Sequence, residues 1–345
     1  MTHEIEAAVL KLREGGVVAF PTETVYGLGA DASNPAAVRR IFDIKGRPAN
    51  HPLIVHLADV AQVPDWARTV PQELHLLARH FWPGPLTLIL PRGNAPLAVT
   101  GGQDSVGLRI PQHPVALALL EAFNGGIAAP SANRFGRVSP TRAIHVAQEL
   151  QGDVDLILEG GDCDVGLEST IVSLVGDQPL LLRPGAIGLP ALEAVLGRAV
   201  STRQATDNIR APGMLESHYA PTTPLYLSSP CTLHDRLAAL ITAGRRVALM
   251  HIQTDLGQLS DHPLLLTLAM PDTADAYGKS LYAALRQLDQ SVVDVIVVER
   301  PPDHEVWAAA NDRLRRASHG HQIFSESGAL ASPFQTHQGS RILAP

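Results

Sequence analysis

Eight short apolar runs between residues 16 and 182 constrain the fold of this chain most. They lie at 16–20, 53–57, 86–90, 106–110, 127–129, 155–158, 170–175 and 179–182, and each reads as a strand. Only five helical segments are set among them, at 35–44, 71–80, 114–123, 141–150 and 190–197, after an opening helix at 4–14 that Gly15-Gly16 ends. The last three runs follow one another with no helix between. A parallel neighbour needs a crossover of a dozen or more residues. A strictly alternating parallel sheet is therefore excluded, and a twisted, mixed α/β sheet is expected. Asn34-Pro35 and Ser139-Pro140-Thr141 have the residue types of helix starts.

The pattern changes beyond residue 200. Residues 198–223 are polar and carry Pro212, Gly213 and Pro221, which suits a linker. Then strands at 224–228, 246–251, 264–268 and 293–299 alternate with helices at 232–243, 273–288 and 304–316, the mark of a small doubly wound (Rossmann-like) α/β domain. The expected organisation is a first domain over 1–200, a linker over 201–223, a second domain over 224–325 and a loose tail over 326–345.

Composition narrows the function classes. Hydrophobic residues make up 45% and charged residues 18% of the chain, which suits a globular protein. No apolar run approaches the roughly 18 residues of a membrane helix, and Thr2-His3-Glu4-Ile5-Glu6 is too acidic for a targeting peptide. A cytoplasmic protein with no membrane partner is expected. The two cysteines, Cys163 and Cys231, build neither a disulfide framework nor a structural zinc site. A net charge of −7 argues against a general nucleic-acid coat. The chain has three lysines (Lys11, Lys45 and Lys279) against 24 arginines, so each lysine is a rare choice.

Two glycine motifs suggest phosphate binding and fail on spacing. Gly27-Leu28-Gly29 follows a strand, but the next helix starts only at Asn34-Pro35, too late for a dinucleotide turn. The alternative is that these glycines relieve a turn. Gly278-Lys279-Ser280 lacks the glycine five residues earlier and sits inside a predicted helix. The loop Lys45–His56 is richer: a glycine and two prolines hold Lys45 and Arg47 on one extended segment, an arrangement suited to a polyphosphate. His51 and His56, five apart across a proline, make a poor metal pair. Ala129–Asn133 and Gly166–Thr170 put small polar side chains at strand mouths, where α/β sheets place ligands and where turn chemistry also places them. Arg109 lies within the apolar run Val106–Ile110 and needs an anion, either a structural carboxylate or that of a ligand. Arg183 closes another apolar run. No serine has a nucleophile elbow around it.

FPTETVYGLGAD, KGRPANHPLIVH, WPGPLTL, GLRIP, APSAN, SPT, GLESTIV and LLRPG occur in this order over residues 16–185. Together they resemble the YrdC-type fold of threonylcarbamoyl-AMP synthases, whose Lys-x-Arg and Ser-x-Asn signature is here Lys45, Arg47, Ser131 and Asn133. APGMLESHYAP and the α/β domain after it resemble the two-domain branch. The resemblance implies a nucleotidyltransferase that converts L-threonine, bicarbonate and ATP, with Mg²⁺, into threonylcarbamoyl-AMP and pyrophosphate. The product would go to the tRNA threonylcarbamoyl-transferase machinery. Carried over by motif, Thr24, His56, Arg109, the backbone at Ala129, and Ser169 match a threonine pocket, with Arg109 a bidentate partner for the carboxylate. Arg47, His51, Ser105, Ser131, Ser139 and Arg183 match ATP contacts, and His218 a linker contact over the nucleotide. Lys45 and Asn133 match positions beside the phosphates. His51 stands where members often carry Asn, and Phe135 where a Ser is common. Competing classes are a non-catalytic YrdC-like module binding double-stranded RNA or tRNA, and a carbamoyl-transfer enzyme of the hydrogenase-maturation type, whose zinc modules two cysteines cannot build.

Overall fold

The computed structural model describes residues 2–202, 209–215 and 217–320. The tail expected over 326–345 lies outside the described residues, as do parts of the expected linker. Ten strands form one sheet: β1 (Val18–Phe20), β2 (Gly27–Asp31), β3 (Ile54–His56), β4 (Leu86–Pro91), β5 (Ser105–Arg109), β6 (Ile127–Ala128), β7 (Leu156–Ile157), β8 (Thr170–Ser173), β9 (Leu180–Arg183) and β10 (Ser201–Thr202). Their order is β10-β9-β8-β4-β5-β3-β6-β2-β1-β7. Parallel and antiparallel pairs mix, as the succession of strands requires: β3 runs parallel to β5, and β4 antiparallel to β5.

A second sheet holds β11 (Leu225–Ser228), β12 (Val247–His251), β13 (Leu265–Ala269) and β14 (Val295–Glu299) in the order β11-β14-β12-β13. Every pair in it is parallel, as alternation with helices dictates.

The helix Pro35–Lys45 shows how sequence sets the site. Asn34 Oδ1 accepts from the N–H groups of Ala36 and Ala37, Pro35 fills the first turn, and Gly46 ends the helix with φ of 63°. Val38, Ile41, Phe42 and Lys45 recur at helical spacing and are all buried. Lys45 thus occupies a core position of an apolar stripe, not the solvated surface.

Three local readings need correction. The apolar runs mark no strand between 20 and 53, yet β2 lies there and pairs with both β1 and β6. Its glycines relieve no turn: a Cβ on Gly29 would lie 2.7 Å from the Phe20 ring and 2.8 Å from Ile127, so close packing across the strand demands glycine. Ser139 caps no helix. That helix starts at Ala143, and the Ser139 hydroxyl donates to Glu168 instead.

The two sheets meet across the helices Ala274–Asp289 and Ala308–Ala317 of the second domain. Gly166, with φ of 75°, lies so close to the first of them that a Cβ would meet Lys279 Cα at 2.6 Å. Gly278, mid-helix and no phosphate loop, lets Leu167 pack against it. Lys279 pairs with Asp164 at 3.0 Å, and Arg286 with Glu149 at 2.5 Å.

Candidate active site

Strand ends converge on one cavity of about 50 Å³. Thr24 comes from the β1–β2 connection, and its hydroxyl shares a 2.7 Å hydrogen bond with Thr22. His56 and Arg109 end neighbouring parallel strands and are register partners, so they enter side by side. Ala129 follows β6, and its N–H is taken by Ile54 O, which leaves its carbonyl for a ligand. Ser131 faces Gly27 across an isolated bridge. Ser169 precedes β8, and Arg183 ends β9 opposite it. Arg47 from the extended loop and His218 with Tyr219 from the linker complete the wall.

Most of the residues singled out in the sequence are brought together here, but not all. Thr24, Arg47, His56, Arg109, Ala129, Ser131, Ser169, Arg183 and His218 line the cavity. Lys45 stands behind it, 3% exposed, with Nζ donating to Ser131 O at 2.6 Å and Asn133 O at 2.5 Å. Asn133 donates to Arg134 O and Arg137 O and so shapes the same turn. The Lys-x-Arg and Ser-x-Asn signatures are thus joined by Lys45 itself. His51 lies in an adjoining cavity of about 170 Å³ that shares Arg47, Gly213 and His218. Ser105 and Ser139 are buried outside both cavities. His51 and His56 share no metal site, and no group of three or more His, Cys, Asp or Glu able to hold a metal occurs among the described residues.

The electrostatics follow from burial. Burial, and then Arg47, push the Lys45 ammonium well below its ordinary pKa. Burial draws Arg47 down to about 10, with Arg183 adding to the shift. It brings His56 to about 3, where Arg109 opposes a second positive charge. His218 falls to about 3 as well, through burial first and the cations Arg47, Lys45 and Arg183 besides. Both histidines are neutral at ordinary pH. The site therefore concentrates cations and excludes further protons.

Arg109 resolves the alternative its strand position posed. Its Nη2 pairs with Glu23 at 2.7 Å and its Nε donates to Gly84 O, which leaves Nη1 for a ligand. The bidentate clamp expected of Arg109 is half taken by the protein. Arg183 is likewise committed, with Nε and Nη2 on Ser169 and Nη1 on Pro212 O.

Residue-type reasoning missed Glu23, Glu168 and Tyr219. Glu23 and Glu168 are charges buried to 5% and 7% exposure, yet each looks like ordinary loop chemistry in sequence. Phe135 makes a ring contact with His51 at 5.5 Å and with His218 at 6.1 Å, and the Arg47 guanidinium sits 5.8 Å from its centroid. It is an aromatic hub for the neighbouring cavity.

Nine buried side-chain polar atoms lack a hydrogen-bond partner among the described residues; four belong to residues lining this cavity (Arg47 Nε, His56 Nδ1, His218 Nδ1 and Tyr219 OH), and a fifth, Asn133 Oδ1, lies in the turn that Lys45 holds. Buried polar atoms are nearly always satisfied. Their concentration around the cavity fits a polar ligand bound there.

Comparison with known proteins agrees with this architecture. A family model described as "Telomere recombination" matches residues 11–185, and one described as "Threonylcarbamoyl-AMP synthase, C-terminal domain" matches residues 187–319. The threonylcarbamoyl-AMP synthase of Bacillus subtilis is 42% identical over 327 residues, covering 93% of this chain and 94% of the relative. That of Pyrococcus abyssi is 40% identical over 331 residues, covering 93% and 95%. The crystal structure of P. abyssi Sua5 complexed with L-threonine superposes with a TM-score of 0.84 at 39% identity, covering 91% of this chain and 94% of that one. The chain belongs to the threonylcarbamoyl-AMP synthase family, enzymes of the nucleotidyltransferase type.

Proposed function

We propose that this enzyme joins L-threonine, bicarbonate and ATP into threonylcarbamoyl-AMP and pyrophosphate, and that the product feeds threonylcarbamoylation of the adenosine beside the anticodon in tRNA. The observation that carries this reading is the cluster of unpartnered buried polar atoms in a cation-rich cavity. The likeness to a relative described as complexed with L-threonine supports the amino acid as one substrate.

In this reading Arg109 Nη1 takes the threonine carboxylate, and Thr24, the neutral His56, Ala129 O and Ser169 surround the rest of the molecule. The threonine amine adds to the bicarbonate carbon with loss of water, forming a carbamate. A carbamate oxygen then attacks the α-phosphorus, the bond to the β-phosphate oxygen breaks, and pyrophosphate leaves. Such a displacement needs positioning and charge neutralisation more than a covalent nucleophile. Arg47 and Arg183, with Lys45 behind them, supply the positive field, and Ser131 the polar contact. The adjoining cavity, with His51, His218 and Phe135, gives the nucleoside its direction. Mg²⁺ accompanying ATP would add charge neutralisation at the phosphates beside Arg47 and Arg183.

The test is incubation with Mg²⁺-ATP, bicarbonate and either L-threonine, L-serine or no amino acid. Pyrophosphate is followed, and the adenylate is identified by mass. Product that depends on both threonine and bicarbonate is expected. Bound ATP without product would overturn the reading and favour the RNA-binding module.

A further inference from the structure

We infer that Arg313, on the helix Ala308–Ala317 of the second domain, is a positioning residue for the threonine side of the active site, acting through Glu168. The inference rests on the reading of the cavity as a threonine site.

Arg313 is 1% exposed, the largest fully buried side chain among the described residues. Its Nε donates to Glu168 Oε2 at 2.8 Å and its Nη2 to Glu168 O at 3.4 Å, so it grips the side chain and the backbone of one residue. Its Nη1 pairs with Asp312 at 2.8 Å, and its guanidinium lies 5.3 Å from the centroid of Tyr219. Tyr282, on the neighbouring helix, donates to the same carboxylate at 2.9 Å and stacks on Tyr219 at 5.8 Å. Ser139 donates to its other oxygen at 2.6 Å.

Glu168 is followed directly by Ser169, which lines the cavity and whose carbonyl and hydroxyl accept from Arg183. The loop before it lies against the helix Ala274–Asp289, backbone to backbone at Gly166. A carboxylate this deep is expensive to ionise. Burial alone would raise Glu168, but Arg313 and Arg183 hold it below its ordinary value. Without the second domain the carboxylate loses Arg313 and Tyr282, and its loop loses the surface that fixes Ser169. The second domain thus braces, from behind, the wall residue Glu168 of the first domain's active site.

The test uses the full chain with Arg313→Lys, which keeps the charge and loses the fork, and Tyr282→Phe, which removes one hydroxyl and keeps the ring. Circular dichroism and thermal melts establish folding, and pyrophosphate release gives kcat and KM. A positioning role raises KM for threonine by about tenfold in Arg313→Lys and about threefold in Tyr282→Phe, with kcat within about twofold of the parent. A purely structural role lowers the active fraction, hence kcat, and leaves KM alone. Unchanged KM in folded variants overturns the inference, whatever happens to kcat. Tyr282→Phe carries the test should Arg313→Lys fail to fold. The parent enzyme is the internal control: if it makes no product, the reading of the reaction fails, not this inference.

Discussion

Glu23 and Arg109 form an ion pair at 2.7 Å inside the cavity wall, with side chains 6% and 5% exposed. Removing one partner of such a pair leaves a naked buried charge. Arg109→Met should therefore lower stability by about 3–5 kcal/mol and abolish measurable threonine saturation. Adding Glu23→Gln should restore much of the stability and none of the activity. A denaturant melt of the two single variants and the double variant decides the matter, and strict additivity would refute the coupling.

Lys45 satisfies two buried carbonyls that belong to the other signature segment. Lys45→Met should leave both unpaired at about 3 kcal/mol of stability. It should also cut pyrophosphate formation by about a hundredfold through the loss of a preorganised cation. A variant with near-parent turnover would remove Lys45 from the phosphate side.

Acid should destabilise this protein through its neutral histidines. His218 has its folded pKa lowered from 6.5 to about 3 by burial and by the nearby cations. Between those values the unfolded chain binds the proton and the folded one does not. The stabilisation is full above pH 6.5 and is lost as pH falls toward 3. At pH 5 the loss is about 2 kcal/mol for one such histidine. His218→Gln should make the fall in unfolding free energy between pH 7 and pH 5 shallower by about that amount. A slope unchanged from the parent would show that His218 takes up its proton in the folded state.

Gly29→Ala tests the packing of β2. The added methyl meets the Phe20 ring and Ile127 at distances no Cβ normally occupies. A loss of about 1–3 kcal/mol is expected from overpacking. A thermal melt matching the parent would mean that the two neighbours give way freely.

The fold was legible where local chemistry decides it. Asn34-Pro35 and Gly46 bracket their helix, and the alternating pattern beyond residue 223 matches the parallel second sheet. The strand β2 was not legible, because a short glycine-rich segment has little strand propensity and is held by its neighbours. Most of the site was legible as ordered motifs, since each sits at a strand end on a turn with its own residue preferences. Arg109 could not be read fully: an arginine in an apolar strand calls for an anion without saying whose. Glu168 was out of reach, for the arginine that holds it is 145 residues away. Ser139 shows the same limit from the other side. It has a capping residue's identity, but a buried carboxylate drew its hydroxyl elsewhere.

The cavity of about 50 Å³ compares with the several hundred Å³ of an ordinary small-molecule site. Even with the adjoining cavity of about 170 Å³ it leaves little room for an amino acid and a nucleotide together. Its walls include Pro212, Gly213, His218 and Tyr219, which belong to neither sheet. On the proposed reading, a ligand larger than this space would enter as these residues withdraw. Capture would then be a two-step event whose observed rate levels off with ligand concentration at the speed of that withdrawal.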